Sequence, residues 1–282
     1  MGELLRGVPV ASALEGKTRE KTDKLRAAGI EPCLAMLRVG ADEGALSYER
    51  GASKRCGKAG IAVRKIALPL DVTQERLLGV IRELNDDAAV HGILMFRPLP
   101  AQLDEKAACA VIAPEKDVDG ISEGSMTKIY SGAGAGFTPC VAAAVMELLR
   151  YYNIAVGGKR AVVIGRSLAV GRPAAMLLMH EDATVTLCHS KTHDLVHISH
   201  AADIVVTAVG KGEIFGHEFF REGQTVIDVG ITWSESKQKL VGDVDFEKVE
   251  PIVSAISPVP GGVGSVTSAL LAYHVAQAAE RA

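Results

Sequence analysis

Residues 162–173 read VVIGRSLAVGRP, and the fold turns on how this stretch is read. The apolar run Val162–Ile164 stops at Gly165; a second glycine, Gly171, follows six residues on, and Pro173 opens the helix-like PAAMLLMH. A strand that turns into a helix at a glycine leaves unpaired N–H groups at the positive end of the helix dipole, an arrangement suited to phosphate. The spacing G-R-S-L-A-V-G departs from the G-x-G-x-x-G of the usual dinucleotide fold, so taken alone the turn also reads as a tight strand-to-helix connection. The next strand, ATVTLC (183–188), runs into His189-Ser190-Lys191-Thr192, where an NAD fold usually carries an acid for the ribose 2′-hydroxyl. No acid stands there. A hydroxyl and a lysine, with Arg166 in the turn, favour a 2′-phosphate and hence NADP over NAD.

Outward from the turn the strand pattern continues with DIVVTAVG (203–210) and TVIDVGI (225–231), the strand density of a nucleotide-binding fold. Towards the N-terminus a separate alternation appears: CLAMLRV (33–39), SYERGASKRCGKAG (47–60), VRKIALP (63–69), TQERLLGVIRELN (73–85) and GILMF (92–96). Apolar runs alternating with helical patterns imply parallel strands with crossover helices. Between the two sets, Arg97 to Pro139 is rich in proline, glycine and loop-forming residues and marks a boundary. The closing helix, SVTSALLAYHVAQAAERA (265–282), reads as a return to the first domain. The expected organisation is therefore residues 1–139 plus 265–282 as one domain and 140–264 as the other. The fold class is α/β, with two domains around a cleft, the second a Rossmann-like parallel sheet with an atypical glycine turn.

At 282 residues the chain suffices for two cores, and its net charge of −3 leaves no basic footprint for nucleic acid. Five cysteines, odd in number and without a C-x-x-C pair, suggest free thiols in a reducing compartment, so a cytoplasmic location is expected. Charges break up the first residues too early for a signal-peptide core, and no run of about eighteen apolar residues occurs, so no membrane partner is expected. His189, His193 and His197 recur every four residues with His200 behind them, but no H-E-x-x-H accompanies them, and they read as an exposed helix start with no metal. Cys140 lacks a sequence-adjacent base that would make it a nucleophile.

The ordered stretches SYERGASKRC, GILMFRPLP, PEKDVDGIS, FTPC, VVIGRS with VGRP, ATVTLCHSKT, ADIVVTAVGK, VIDVGI, GDVDF and PVPGGVG resemble the methylenetetrahydrofolate dehydrogenase/cyclohydrolase family along nearly the whole chain. That resemblance implies a tetrahydrofolate derivative as substrate, held mainly by the first domain, NADP on the second, and a homodimer. It further implies that Gly165, Arg166, Ser167 and Ser190 contact the phosphate-bearing half of NADP, with Ile231 by the nicotinamide. Tyr48 would line the folate site, Asp119 would bind the pterin, and Pro260, Gly261 and Gly262 of PVPGGVG would close the cleft. Read without the resemblance, Tyr48 is a packing residue, Asp119-Gly120 a common turn pair and PGGVG a hinge.

The chain departs from the family pattern at two places. Bifunctional members carry Tyr-x-x-x-Lys on a helix and a glutamine in a strand end resembling VQLPLP; here the fourth residue after Tyr48 is Ala52, and the glutamine position is Phe96. Lys54, the nearest following lysine, is six residues on, about 120° around a helix from Tyr48, and would reach the site only if the helix started late or bent at Gly51. Hydride transfer from the methylene bridge needs alignment and exclusion of water, whereas hydrolysis of the methenyl cation needs an activated water and proton transfer. The departures therefore predict a dehydrogenase with weak or absent cyclohydrolase activity, with Tyr48, Lys54 and Asp119 as the catalytic candidates. The alternatives are the full bifunctional enzyme, with Lys54 and another group substituting, and an NADP-sensing binding protein without turnover.

Overall fold

The computed structural model describes residues 2–282. In chain order the elements are β1 (Glu3–Leu4), α1 (Gly7–Ala27), β2 (Cys33–Val39), α2 (Glu43–Lys58), β3 (Ala62–Leu68), α3 (Gln74–Asp86) and β4 (Gly92–Met95). Next come α4 (Glu105–Val111), α5 (Glu123–Ser131), α6 (Cys140–Tyr151), β5 (Arg160–Ile164), α7 (Gly171–His180), β6 (Thr184–Cys188) and α8 (Leu195–His200). The chain ends with β7 (Ile204–Thr207), β8 (Thr225–Asp228), β9 (Thr232–Ser234), β10 (Lys239–Val241), α9 (Phe246–Val249), β11 (Ala255–Ile256) and α10 (Val263–Arg281).

Two compact units form: one holds the chain up to Ser12 together with Val141–Thr267, the other Ala13–Cys140 with Ser268–Ala282. This corrects the expected assignment of the first twelve residues. They leave the first domain because Glu3 and Leu4 pair in parallel with Ala255 and Ile256, and Gly7 N–H donates to Gly261 O at 2.7 Å. A two-residue strand carries no readable periodicity, so the sequence could not announce that pairing.

In the unit built on Val141–Thr267, six parallel strands lie in the order β1-β11-β8-β7-β5-β6. The inner strands are buried along their length, as parallel strands covered on both faces must be. From β5 the chain steps outward to β6, then returns to the other side of β5 for β7, which makes the gap between β5 and β7 the topological switch point. Ligands of open α/β sheets bind beyond the carboxyl ends of strands at such a point.

The other unit contains a three-stranded parallel sheet, β3-β2-β4. Its core joins Ala35 and Leu37 of β2, Leu77, Val80, Ile81 and Leu84 of α3, and Ile93 and Met95 of β4. Capping fixes where the helices begin: Asp42 accepts from Ala45 N–H at the start of α2, and Thr73 from Arg76 N–H at the start of α3. The span from Arg97 to Pro139, expected to be loop, holds α4 and α5 as well; both are under ten residues and begin at the side-chain caps Asp104 and Ser122. No helix among the described residues is long and apolar enough to cross a membrane.

Candidate active site

At the switch point Gly165 follows β5 directly and has φ of +129°. A Cβ there would overlap the carbonyl oxygen of Ala208 and lie 2.8 Å from its carbonyl carbon, so the residue after β5 must be glycine for β7 to lie alongside. A pocket of about 420 Å³ opens on this turn. Gly165, Arg166, Ser167 and Ser190, all expected from the sequence, line it, together with His189, Lys211, Leu195 and Ile214. Lys211 and the apolar pair were not anticipated; Lys211 lies in the loop after β7, and only the β5-β7 pairing carries it here. Ser167 also has a structural task, since its Oγ accepts from Val170 N–H at 3.2 Å and from Gly171 N–H at 3.4 Å at the start of α7.

A second pocket in the same unit, about 250 Å³, is lined by Ile231, Pro260, Gly261 and Gly262 with Asp228 at its base. Asp228 Oδ1 accepts from Thr207 Oγ1 and Asp243 N–H, and Oδ2 from Val244 N–H, each at 3.0 Å. Burial pushes its carboxyl up to about 7 against those donors. These bonds tie the ends of β7 and β8 to the segment after β10, so Asp228 shapes the pocket floor.

In the unit built on Ala13–Cys140, Tyr48 of α2 projects its ring onto Phe96, edge to face with centroids 5.9 Å apart. The motif KDVDG divides its two acids by role. Asp117 is fully buried and accepts from Ile121 N–H (3.0 Å), Ser122 N–H (2.7 Å) and Ser125 Oγ (2.6 Å), so it builds the turn. Asp119 is only part-buried, with Arg97 Nη2 4.0 Å from its Oδ2 and the Cys140 thiol donating to it; burial, with Asp117 beside it, raises its carboxyl to about 6. Directly after Asp119, Gly120 at φ +72° holds the chain against Phe137, where a Cβ would come within 2.7 Å of the carbonyl oxygen. Burial and the Asp119 charge also raise the Tyr48 phenol, which stays protonated.

The structure does not bring Lys54 to this group. The helix α2 runs unbroken through Gly51, Lys54 is exposed, and Ala52 is buried on the inner face. Cys140 faces Val118 O at 3.4 Å and His274 Nδ1 at 3.6 Å. Burial lifts its thiol well above the ordinary range, and burial lowers His274 to about 4, so the pair is a neutral buried contact and not a thiolate nucleophile. His274 thus favours the folded state above its unfolded value, near 6.5, and that contribution fades as pH falls towards 4. A ring-proton NMR titration is expected to give a midpoint near 4 for this histidine; a midpoint near 6.5 would mean that the ring is hydrated. Among the described residues no group of three or more His, Cys, Asp or Glu is placed to hold a metal ion.

With this geometry in view, comparison with known proteins is decisive. Residues 5–119 match the tetrahydrofolate dehydrogenase/cyclohydrolase catalytic domain, and residues 139–282 match the NAD(P)-binding domain of the same family. The chain belongs to the tetrahydrofolate dehydrogenase/cyclohydrolase family. The bifunctional protein FolD of Carboxydothermus hydrogenoformans is 48% identical over 281 residues, covering 99% of this chain and 98% of that one. The crystal structure of the bifunctional enzyme FolD from Campylobacter jejuni superposes with a TM-score of 0.97 at 39% identity, covering 100% and 99% of the two chains. The Trypanosoma brucei dehydrogenase-cyclohydrolase, solved with NADP cofactor and inhibitor, has a TM-score of 0.92 at 36% identity, covering 99% and 98%. The family's NAD(P)-binding domain contains the Gly165 turn, and its catalytic domain contains Tyr48, Phe96 and Asp119.

Proposed function

We infer that this chain oxidises the methylene bridge of 5,10-methylenetetrahydrofolate reversibly with NADP and hydrolyses the methenyl product slowly. The observation that carries the first step is the glycine turn at the switch point, opening on a pocket that presents Arg166, Ser167, Ser190 and Lys211. Those residues fit an anionic dinucleotide: main-chain N–H groups and hydroxyls suit a pyrophosphate, and two cations suit an additional phosphate. The absence of an acid after β6 and the NADP held by the Trypanosoma brucei relative both support NADP over NAD. Bound NADP⁺ supplies the hydride acceptor. For Ile231 and the loop Pro260, Gly261 and Gly262, which line one pocket, the family resemblance supports contact with the nicotinamide and with folate respectively.

The chain's own part is to hold the pterin and keep water out. Asp119, as a carboxylate, accepts from adjacent N–H donors of a pterin edge, and Tyr48 with Phe96 forms an apolar wall. Asp119→Asn keeps the shape but turns an acceptor-only group into a mixed one. It is expected to raise KM for the folate about tenfold while leaving KM for NADP within about twofold. Equal KM values for the folate in the two proteins would remove Asp119 from the pterin site.

For the second step the names of the relatives support hydrolysis, and support it better than they support its loss. Ala52, Phe96 and the outward Lys54 favour a slow rate, because neither an alanine nor a phenylalanine moves a proton. The test follows NADPH and methenyltetrahydrofolate together against an enzyme-free control. NADPH should appear with the methenyl species building up ahead of its loss; no NADPH would sink the reading, and methenyl held at the background from the start would mean fast hydrolysis. A homodimer is also proposed, and light scattering should return twice the chain mass.

A further inference from the structure

Asp119 sits in a place hostile to its charge. It is part-buried, and the second carboxylate of its own turn, Asp117, lies beside it. The groups facing it from the packed elements are the Tyr48 phenol of α2, the Cys109 thiol of α4 and the Cys140 thiol of α6, all neutral, since burial and neighbouring acids raise each of them. Among the described residues one cation forms an ion pair with it: Arg97, just past the end of β4, with Nη2 4.0 Å from Asp119 Oδ2.

Arg97 is itself braced. Glu105 of α4 places Oε1 3.7 Å from Arg97 Nη1, while its Oε2 accepts from Leu99 N–H at 2.9 Å, which fixes the carboxylate to the backbone two residues beyond the arginine. Both guanidinium contacts are longer than a hydrogen bond. The charge therefore acts on Asp119 through space; the carboxylate also accepts from the Cys140 thiol, and its remaining lone pairs can serve two ligand N–H groups.

We propose that Arg97 is a positioning residue of the dehydrogenase: braced by Glu105, its guanidinium keeps Asp119 in the ionised, acceptor-only form that grips the pterin edge. This rests on the assignment of Asp119 to the pterin. Arg97 occupies the position of a leucine in the VQLPLP pattern and adjoins Phe96, so the same strand end that gives up a proton-transfer group gains a charge.

The test compares wild type, Arg97→Leu, Arg97→Lys and Asp119→Asn, measuring kcat/KM for 5,10-methylenetetrahydrofolate and KM for NADP between about pH 5.5 and 9. The wild-type acid limb should fall near the Asp119 value of about 6. With the leucine variant that limb is expected to move upward by about one pH unit or more, the range for loss of an opposite charge at this distance. Its kcat/KM at about pH 6.5 should then fall severalfold to tenfold and rejoin wild type above about pH 8.5, with KM for NADP unchanged. Arg97→Lys, which keeps the charge, should restore most of the profile, and Asp119→Asn should abolish the acid limb. A leucine variant with an unmoved limb, or one lowered equally at every pH, would overturn the positioning role. Loss of the limb in Asp119→Asn together with an unmoved limb in Arg97→Leu would retain the pterin assignment and reject Arg97 alone. An acid limb that survives in Asp119→Asn would reject the pterin assignment, and with it the role of Arg97.

Discussion

The double substitution Ala52→Lys, Phe96→Gln is expected to raise hydrolysis of methenyltetrahydrofolate on the order of 10²-fold, the lower end of what positioned acid–base groups contribute, while NADP-linked oxidation changes little. The geometry makes the direction specific. Residue 52 lies four positions beyond Tyr48 on an unbroken helix, about 40° around it, so a lysine there shares the face of the tyrosine. Phe96 already touches the Tyr48 ring, so a glutamine in its place lies next to the same phenol. Each single change should do less than the pair, because hydrolysis needs both an activated water and a route for the proton. Phe96→Gln also gives up an edge-to-face contact and a buried apolar ring, a cost of about 2–3 kcal/mol in stability that urea unfolding would register. An unchanged hydrolysis rate in the folded double variant would mean that other groups already carry the proton, and the slow-hydrolysis reading would go.

Gly165→Ala is expected to weaken NADP binding by about 10²-fold or more and to lower stability by about 2–4 kcal/mol. The added methyl meets main chain on main chain at Ala208, where no rotamer change can relieve it. Either the β5 end or the β7 end must move, and both line the pocket at the Gly165 turn. Gly16→Ala is the matched control: Gly16 lies within α1 with nothing within 4 Å of an added Cβ, and the change should stabilise by about 0.5–1 kcal/mol without touching KM for NADP. Isothermal titration with NADP and thermal unfolding of the two variants decide the matter. A Gly165→Ala protein that binds NADP normally would show that the turn is not the phosphate cradle.

The strands that read well from the sequence are those whose signal is local and dense. CLAMLRV coincides with β2, and the runs through Ile164, Thr207 and Asp228 coincide with inner strands of the large sheet, because strands covered on both faces must be apolar throughout; ATVTLC gives the edge strand β6. The glycine turn at residue 165 was legible for a related reason. A glycine between strand and helix is a constraint on a few consecutive residues, and Gly165, Arg166 and Ser167 carry it in order.

The group around Tyr48 and Asp119 was legible only in part. Tyr48 and Asp119 stood out only through the family resemblance, Lys54 did not come with them, and nothing local announced that Arg97 and Glu105 would meet Asp119. The sequence by itself determined the α/β alternation, the parallel inner strands and the glycine turn, since periodicity and backbone freedom act over a few residues. Tertiary structure alone decided that residues 3 and 4 would form an edge strand beside Ala255 and Ile256, that Lys211 would reach the pocket at the Gly165 turn, and that Asp117 would be spent on its turn while Asp119 faced Arg97. Those outcomes depend on pairings between segments distant in the chain, where a charge, a carbonyl or a short strand acquires its role from the neighbour that folding brings to it.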